Sequence, residues 1–179
     1  MLDPQAQRQA MRARWDAFAP IYAQFLSANG FHSDHAEIEQ WIISHLDLGE
    51  GARVLDLACG SGNPSLFIAP LVGASGHVSG FDLSPAMIAA AQMAQAERGI
   101  ANVTYHLITD ETRLPIEPKS YDAALCQMGI FLMPDPLAAL QALAQAVRPG
   151  GMVALATWGK DETNGLLTVP RTIITRHAT

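Results

Sequence analysis

The chain reads as one α/β domain: a doubly wound sheet of at least five parallel strands, helices on both faces, and a helical cap in front. Three features predict this. Short apolar runs alternate with stretches of helical pattern. The helical stretches open on capping residues and close on glycine or Pro-Gly. The 179 residues contain no internal repeat and no low-complexity linker, which fits a single domain.

Residues 5–28 and 34–46 have helical character and are divided by Asn29-Gly30, a helix stop. Ala52–Leu57 (ARVLDL) follows Gly49-Glu50-Gly51 and is a buried strand. The turn CGSGNPS comes next, with a helix from Pro64 to about Val72. His77–Asp82 (HVSGFD) is the second strand. Ser84 then serves as N-cap, Pro85 stands at the first helical position and Gly99 follows the last turn. Asn102–Leu107 is the third strand, residues 108–120 are a polar loop with two prolines, and Tyr121–Cys126 is the fourth strand. Asp135-Pro136 opens a helix with Leu137, Leu140, Ala144 and Val147 on one face, stopped by Pro149-Gly150-Gly151. Met152–Trp158 (MVALATW) is the fifth strand. Such alternation implies βαβ units with right-handed crossovers, and ligands at the carboxyl ends of the strands.

Composition narrows the function classes. Apolar residues make up 49% and charged residues 16%, a globular balance with a sizeable core. Seventeen acidic against eleven basic residues give a net charge of −6, which argues against a binder of nucleic-acid phosphates. Cys59 and Cys126 are too far apart in sequence for a metal motif or a disulfide framework and fit a reducing compartment. No apolar stretch reaches the ~18 residues of a membrane span, and the first residues lack the apolar core of a secretory signal. A cytoplasmic protein is the expectation.

The chemistry gathers after the first strand. Gly60 and Gly62 allow a tight turn and close approach of backbone to a ligand, and the helix behind them points free N–H groups at the same space. Two glycines also suffice for a turn that binds nothing. Asp82, 22 residues after Gly60, ends the second strand, where a carboxylate accepts from ribose hydroxyls. A dinucleotide fingerprint wants a third glycine where Ser65 stands. Asp56, inside the strand end, suits a ligand carrying a positive amino or sulfonium group and is unwelcome beside a pyrophosphate. It can also cap the glycine loop. The balance tilts from NAD toward S-adenosylmethionine.

With these residues in place the chain resembles the class I S-adenosylmethionine-dependent methyltransferases, closest to the small-molecule branch of ubiquinone- and menaquinone-biosynthesis-type enzymes. The matching segments are VLDLACGSG (54–62), GFDLSPAMIAAAQ (80–92), TDETRLPIEPKSYD (109–122) and LAQAVRPGGMVALATW (143–158), in the family's order and spacing. WDAFAPIYAQF (15–25) looks like the helix that caps the cofactor in this branch. The resemblance implies a Rossmann-like core over 48–158 behind a cap over 1–47. It places Asp56, Ala58, Gly60 and Gly62 along the methionine moiety and Asp82 on the ribose. Leu83 and Met87 would pack on the adenine, and Asp110, with Glu111 beside it, would accept from the adenine amino group. Gln127 and Met128 would lie under the sulfonium, and Tyr22 over the methionine carboxylate. Ala58 stands where the family often has glycine; being small, it is expected to cost nothing.

The resemblance leaves the acceptor open. His32, His35 and His106 are the candidate bases, with His106 inside the third strand and read as structural. The Asn/Asp-Pro-Pro-aromatic box of enzymes that methylate exocyclic amines of nucleic acids is absent; QMGIFLM (127–133) stands there. A small, fairly apolar acceptor is expected, with Gly129, Ile130, Phe131 and Met133 either as its walls or as core. The family's last two strands, an antiparallel pair, do not fit in the short tail over 159–179. Strand five would then be an exposed edge, a possible surface for self-association. The expectation is therefore a small-molecule methyltransferase. Its alternatives are a non-catalytic cofactor-binding domain completed by a partner chain and, further off, a nicotinamide-dependent oxidoreductase.

Overall fold

The computed structural model describes residues 3–28 and 36–159. Five strands form one sheet: β1 (Arg53–Leu57), β2 (His77–Asp82), β3 (Val103–Leu107), β4 (Tyr121–Gln127) and β5 (Val147–Ala156). Their order is β3-β2-β1-β4-β5 and every pair is parallel, as the alternation predicts. The helices are α1 (Pro4–Ala28), α2 (Ala36–Ser44), α3 (Asn63–Val72), α4 (Pro85–Glu97) and α5 (Pro136–Ala146), with a 3-10 turn at Ile130–Leu132.

Side chains alternate between the two faces of the sheet. Val54, Val78, Val103, Ala123 and Leu125 pack with Ile42 of α2, Leu66 and Ile68 of α3, and Ile88 and Ala91 of α4. On the opposite face Leu55, Leu57, Phe81, Ala124 and Cys126 pack with Ala139, Leu143 and Ala146 of α5. The chain leaves β3 at one edge and re-enters beside β1 as β4. The strand order therefore reverses between β1 and β4, which opens a crevice at their carboxyl ends.

Local signals hold where they are strong. Ser84 Oγ accepts from the Met87 N–H at 3.0 Å and Gly99 ends α4 with φ of 62°. Two expectations need correction. The buried face of α5 is Ala139, Leu143 and Ala146, whereas Leu137 is 64% exposed and Ala144 is exposed. A helix that is apolar on most sides does not say which side turns inward. The fifth strand begins at Val147, before the Pro-Gly-Gly, and ends at Ala156, before Trp158. A residue preceding proline is driven out of the helical region, so Arg148 cannot continue α5 ahead of Pro149. Pro149-Gly150-Gly151 becomes an irregularity inside β5: Val147 faces Tyr121, and the next pair is Met152 with Ala123.

Helix α1 lies across the carboxyl ends of the strands. Asp16 Oδ1 accepts from Ser84 Oγ at 2.6 Å and from the Ala86 N–H at 3.3 Å, a carboxylate at the positive end of α4. Arg8 reaches the loop after β3. His32 and His35 lie outside the described residues, as does the tail from 160 onward.

Candidate functional site

A cavity of about 480 Å³ occupies the crevice and is roofed by α1. That volume suits a small-molecule ligand. Its roof is Arg8, Met11, Trp15, Phe18 and Tyr22, a stripe at alternating spacings of three and four that brings one helical face downward. Trp15 and Phe18 meet edge to face at 5.7 Å, and Phe18 lies 6.0 Å from Tyr22. The floor is the glycine loop after β1.

Nine of the twelve residues singled out from sequence lie in the wall: Tyr22, Ala58, Gly60, Asp82, Leu83, Met87, Glu111, Gln127 and Met128. Asp56, Gly62 and Asp110 do not. Asp56 is fully buried beneath the loop, where Ser65 Oγ donates to its Oδ2 at 2.7 Å. Gly62 has φ of 88°, and a Cβ there would collide with the Tyr105 hydroxyl and lie 3.0 Å from Ala91. Its lack of a side chain serves the packing of loop against β3 and α4. Gly60, with φ of 53°, has nothing within 4 Å of where a Cβ would be, so its open side faces the cavity. Asp110 Oδ1 caps the turn at Thr112, accepting from N–H at 2.9 Å and Oγ1 at 2.6 Å, and pairs with Arg8 at 3.0 Å.

Of the expected acceptor walls, Gly129 and Met133 line the cavity. Ile130 packs in the core and Phe131 is 43% exposed. His106 is off the site: its ring stacks on Phe81 at 4.8 Å, and burial lowers its pKa.

Asp82 braces the floor. Its Oδ2 accepts from the Gly60 N–H at 2.9 Å and its Oδ1 from the Ser84 N–H at 2.8 Å. Each oxygen keeps a further lone pair for a ligand. Burial pushes this carboxyl up, against the downward pull of the Ser84, Gly60 and Leu83 N–H groups.

Burial also pushes Asp56 up, from an ordinary 3.8 to about 7. The native state then holds a proton more tightly than the unfolded chain. The associated stability is full below the unfolded value and is lost as pH rises through the folded one. Asp56→Asn is accordingly expected to match the wild type near ~pH 4 and to exceed it near ~pH 8. Urea melts at the two pH values check this, and an equal difference at both would refute the assignment.

Ala58 and Met128, at the ends of β1 and β4, have φ of 58° and 56°. The left-handed backbone explains a glycine preference at position 58 and corrects the expectation that alanine costs nothing: it is strained by ~1 kcal/mol. Ala58→Gly is expected to raise stability by about 0.5–1 kcal/mol in chemical denaturation. A loss of stability would show that the methyl packs usefully.

Several wall or supporting residues escaped the sequence. Arg8, Met11 and Trp15 fall on the spacing that ends at Tyr22, a visible signal. Glu39 of α2 is 3% exposed and in the wall, with Gln127 Nε2 donating to its Oε1 at 3.3 Å. One acid in a short amphipathic helix offers no signal of that kind.

A parallel sheet with a glycine loop after its first strand, an acid ending its second and a cavity at the strand-order reversal defines a nucleoside-binding α/β domain. The chain belongs to the methyltransferase domain family, whose model matches residues 54–151, the family that its motifs resemble. It is 38% identical over 130 residues to a ubiquinone biosynthesis O-methyltransferase of Paraburkholderia phymatum, covering 73% of this chain and 54% of that protein. Among solved structures it resembles a SAM-dependent methyltransferase from Aquifex aeolicus (TM-score 0.64, 24% identity, 70% of this chain and 66% of that one). It also resembles the cyclase SpnF (TM-score 0.61, 26% identity, 66% of this chain and 43% of that one). The chain spans about half the length of the curated relatives it matches.

Proposed function

We propose that the chain binds S-adenosylmethionine in the α1-roofed cavity and belongs to a methyltransferase acting on a small-molecule acceptor. The observation that carries this reading is Asp82. It ends β2, ties down Gly60 and keeps acceptor capacity toward the cavity at the place where ribose hydroxyls would lie. The cofactor supplies a methyl group on a sulfonium, already activated for in-line displacement. The protein's part is to orient and to exclude water.

Each wall then has a task. Asp82 accepts from the ribose hydroxyls. Leu83, Met87 and Ile108 offer apolar surface to the base. Arg8, held by Glu111, closes that end. Trp15, Phe18 and Tyr22 keep water from the transfer zone, whose floor is Gln127 and Met128. Gly129 and Met133 face the acceptor. The name of the curated relatives makes a hydroxyl the first acceptor group to test. Among the described residues no group of His, Cys, Asp and Glu is arranged to hold a metal ion.

In this reading residues 1–47 form the cap, 48–158 the cofactor core and 159–179 a short tail. No helix among the described residues is long and apolar enough to cross a membrane. A cytoplasmic location and a partner list without nucleic acid accompany the net charge of −6. β5 is one of the two sheet edges among the described residues, and a second copy of the chain is the partner proposed for it. The half-length match favours a second reading, in which this stretch binds the cofactor and needs a partner chain for transfer. Calorimetric titration with S-adenosylhomocysteine, with NAD as control, tests the first step. Binding of the former alone supports the assignment; binding of NAD alone turns the site into that of an oxidoreductase.

A further inference from the structure

We propose that the sheet carries a second ligand site, on the face away from α3 and α4, which takes a tetrahedral oxyanion: free phosphate or the phosphoryl group of a monoester. Arg53, His77, Ser79, Thr104 and His106 hold it.

The site follows from a missing helix. The chain passes from β3 to β4 through the loop at 108–120, so no helix covers this face of β2 and β3 among the described residues. A cavity of about 570 Å³ opens there, lined by those five residues and closed toward β4 by Tyr121. Strand register makes the five neighbours. Arg53 pairs with His77, Ser79 with Thr104 and Phe81 with His106. Alternation along each strand keeps all three rows on one face. The two hydroxyls therefore form the middle row, with Arg53 and His77 on one side and His106 on the other.

The groups match a dianion. Ser79 is 5% exposed, and its hydroxyl makes no hydrogen bond to a described residue, so a donor is on offer in a sheltered place. The chain carries −6 overall, yet this wall gathers an arginine and two imidazoles. Its one carboxylate among the described residues, Glu117, is exposed at the rim. The Arg53 guanidinium lies over the Tyr121 ring at 5.8 Å and forms no ion pair with a described residue. Asp122 nearby is engaged by the Arg53 N–H and by Arg148. Burial, then Arg53 and His106, lower the His77 pKa, and burial lowers that of His106. A bound anion favours both protonated rings, so affinity rises as pH falls.

This site is separate from the α1-roofed cavity. The two share only Phe81, which is 1% exposed and carries the stacked His106 ring.

The test follows the His77 and His106 imidazole resonances by NMR while sulfate replaces chloride at constant ionic strength. Sulfate keeps its double charge throughout the titration range. Saturable shifts of both rings are expected, with affinity rising about threefold or more from ~pH 7 to ~pH 5.5. Ser79→Ala should weaken sulfate about tenfold and Arg53→Ala about threefold. Retained dispersion of the other resonances shows that each variant is folded. Saturating S-adenosylhomocysteine should leave the sulfate bound; displacement would put the anion in the other cavity and overturn the site. Shifts that do not saturate, affinity that does not change with pH, or full affinity in both variants also overturn it. Inorganic phosphate and phenyl phosphate then distinguish the sources. Tighter binding of phenyl phosphate supports the site as one for a monoester whose body rests on Pro115 and Ile116, and equal affinity supports it as one for the free ion.

Discussion

Asp82→Ala should lower the affinity for S-adenosylhomocysteine by about 3 kcal/mol, roughly a hundredfold or more. Two losses combine. The ribose hydroxyls lose a charged acceptor, and a hydrogen bond to a charged group is worth ~1.5–3 kcal/mol. The floor also loses its brace, because the Gly60 and Ser84 N–H groups both donate to this carboxylate. Asp82→Asn separates the two. Its amide oxygen can serve one N–H while its NH₂ opposes the other, so an affinity between wild type and alanine is expected. Calorimetry on all three proteins decides. Unchanged affinity in the alanine variant would remove Asp82 from the site and leave it a loop brace only.

Arg8→Ala should loosen the roof. Arg8 Nε and Nη2 each donate to Glu111 at 2.9 Å, a two-point pair, and Nη2 lies 3.0 Å from Asp110. Glu111 is only 1% exposed, so truncating Arg8 strands a buried carboxylate. Breaking a buried pair in this way costs ~3–5 kcal/mol. Arg8 is 14% exposed and sits on an N-terminal helix that can lift away, which caps the penalty; about 2 kcal/mol is expected. Lifting of α1 has its own signature: faster hydrogen exchange over residues 4–28 with β1 and β4 unaffected, and faster release of S-adenosylhomocysteine. Arg8→Lys should rescue only part of the loss, since one ammonium cannot reproduce the planar two-point contact. Adding Glu111→Gln to Arg8→Ala should restore some stability by removing the stranded charge. Unchanged exchange in α1 after Arg8→Ala would show that the apolar stripe alone holds the roof.

These two residues mark where sequence reading succeeds and where it stops. The position of Asp82 was legible because it depends on a short interval: a strand end, the glycine loop before it and a capped helix after it. The same holds for Ser84 and Pro85 at the start of α4 and for the parallel sheet as a whole, whose strands and helices announce themselves by period and punctuation. The motif order added the family. Arg8 was not legible, since its partner lies 103 residues away and no local pattern couples the two.

Neighbours on one turn show the same divide. Asp110 and Glu111 were both expected at the base, but the turn that Thr112 closes on Asp110 leaves Glu111 in the wall and Asp110 beside it. Asp56 was expected to face the ligand, but its carboxylate turns under the loop to Ser65. Gly62 looked like a ligand contact and proved to be where Tyr105 of β3 presses closest. Leu137 and Ala144 were expected inside, but α5 is apolar around most of its circumference and the sheet selects Ala139, Leu143 and Ala146.

The sequence by itself determined the elements, the parallel sheet, the glycine loop, the acid that ends β2 and the family, because capping, periodicity and turn chemistry act between residues a few positions apart. Only the tertiary structure decided which carboxylates face the cavity, that Arg8 ties its roof to the loop after β3, and that Glu39 of α2 meets Gln127 of β4 in its wall. A side chain's direction is set by the packing of elements distant in the chain, and that packing is a property of the fold as a whole.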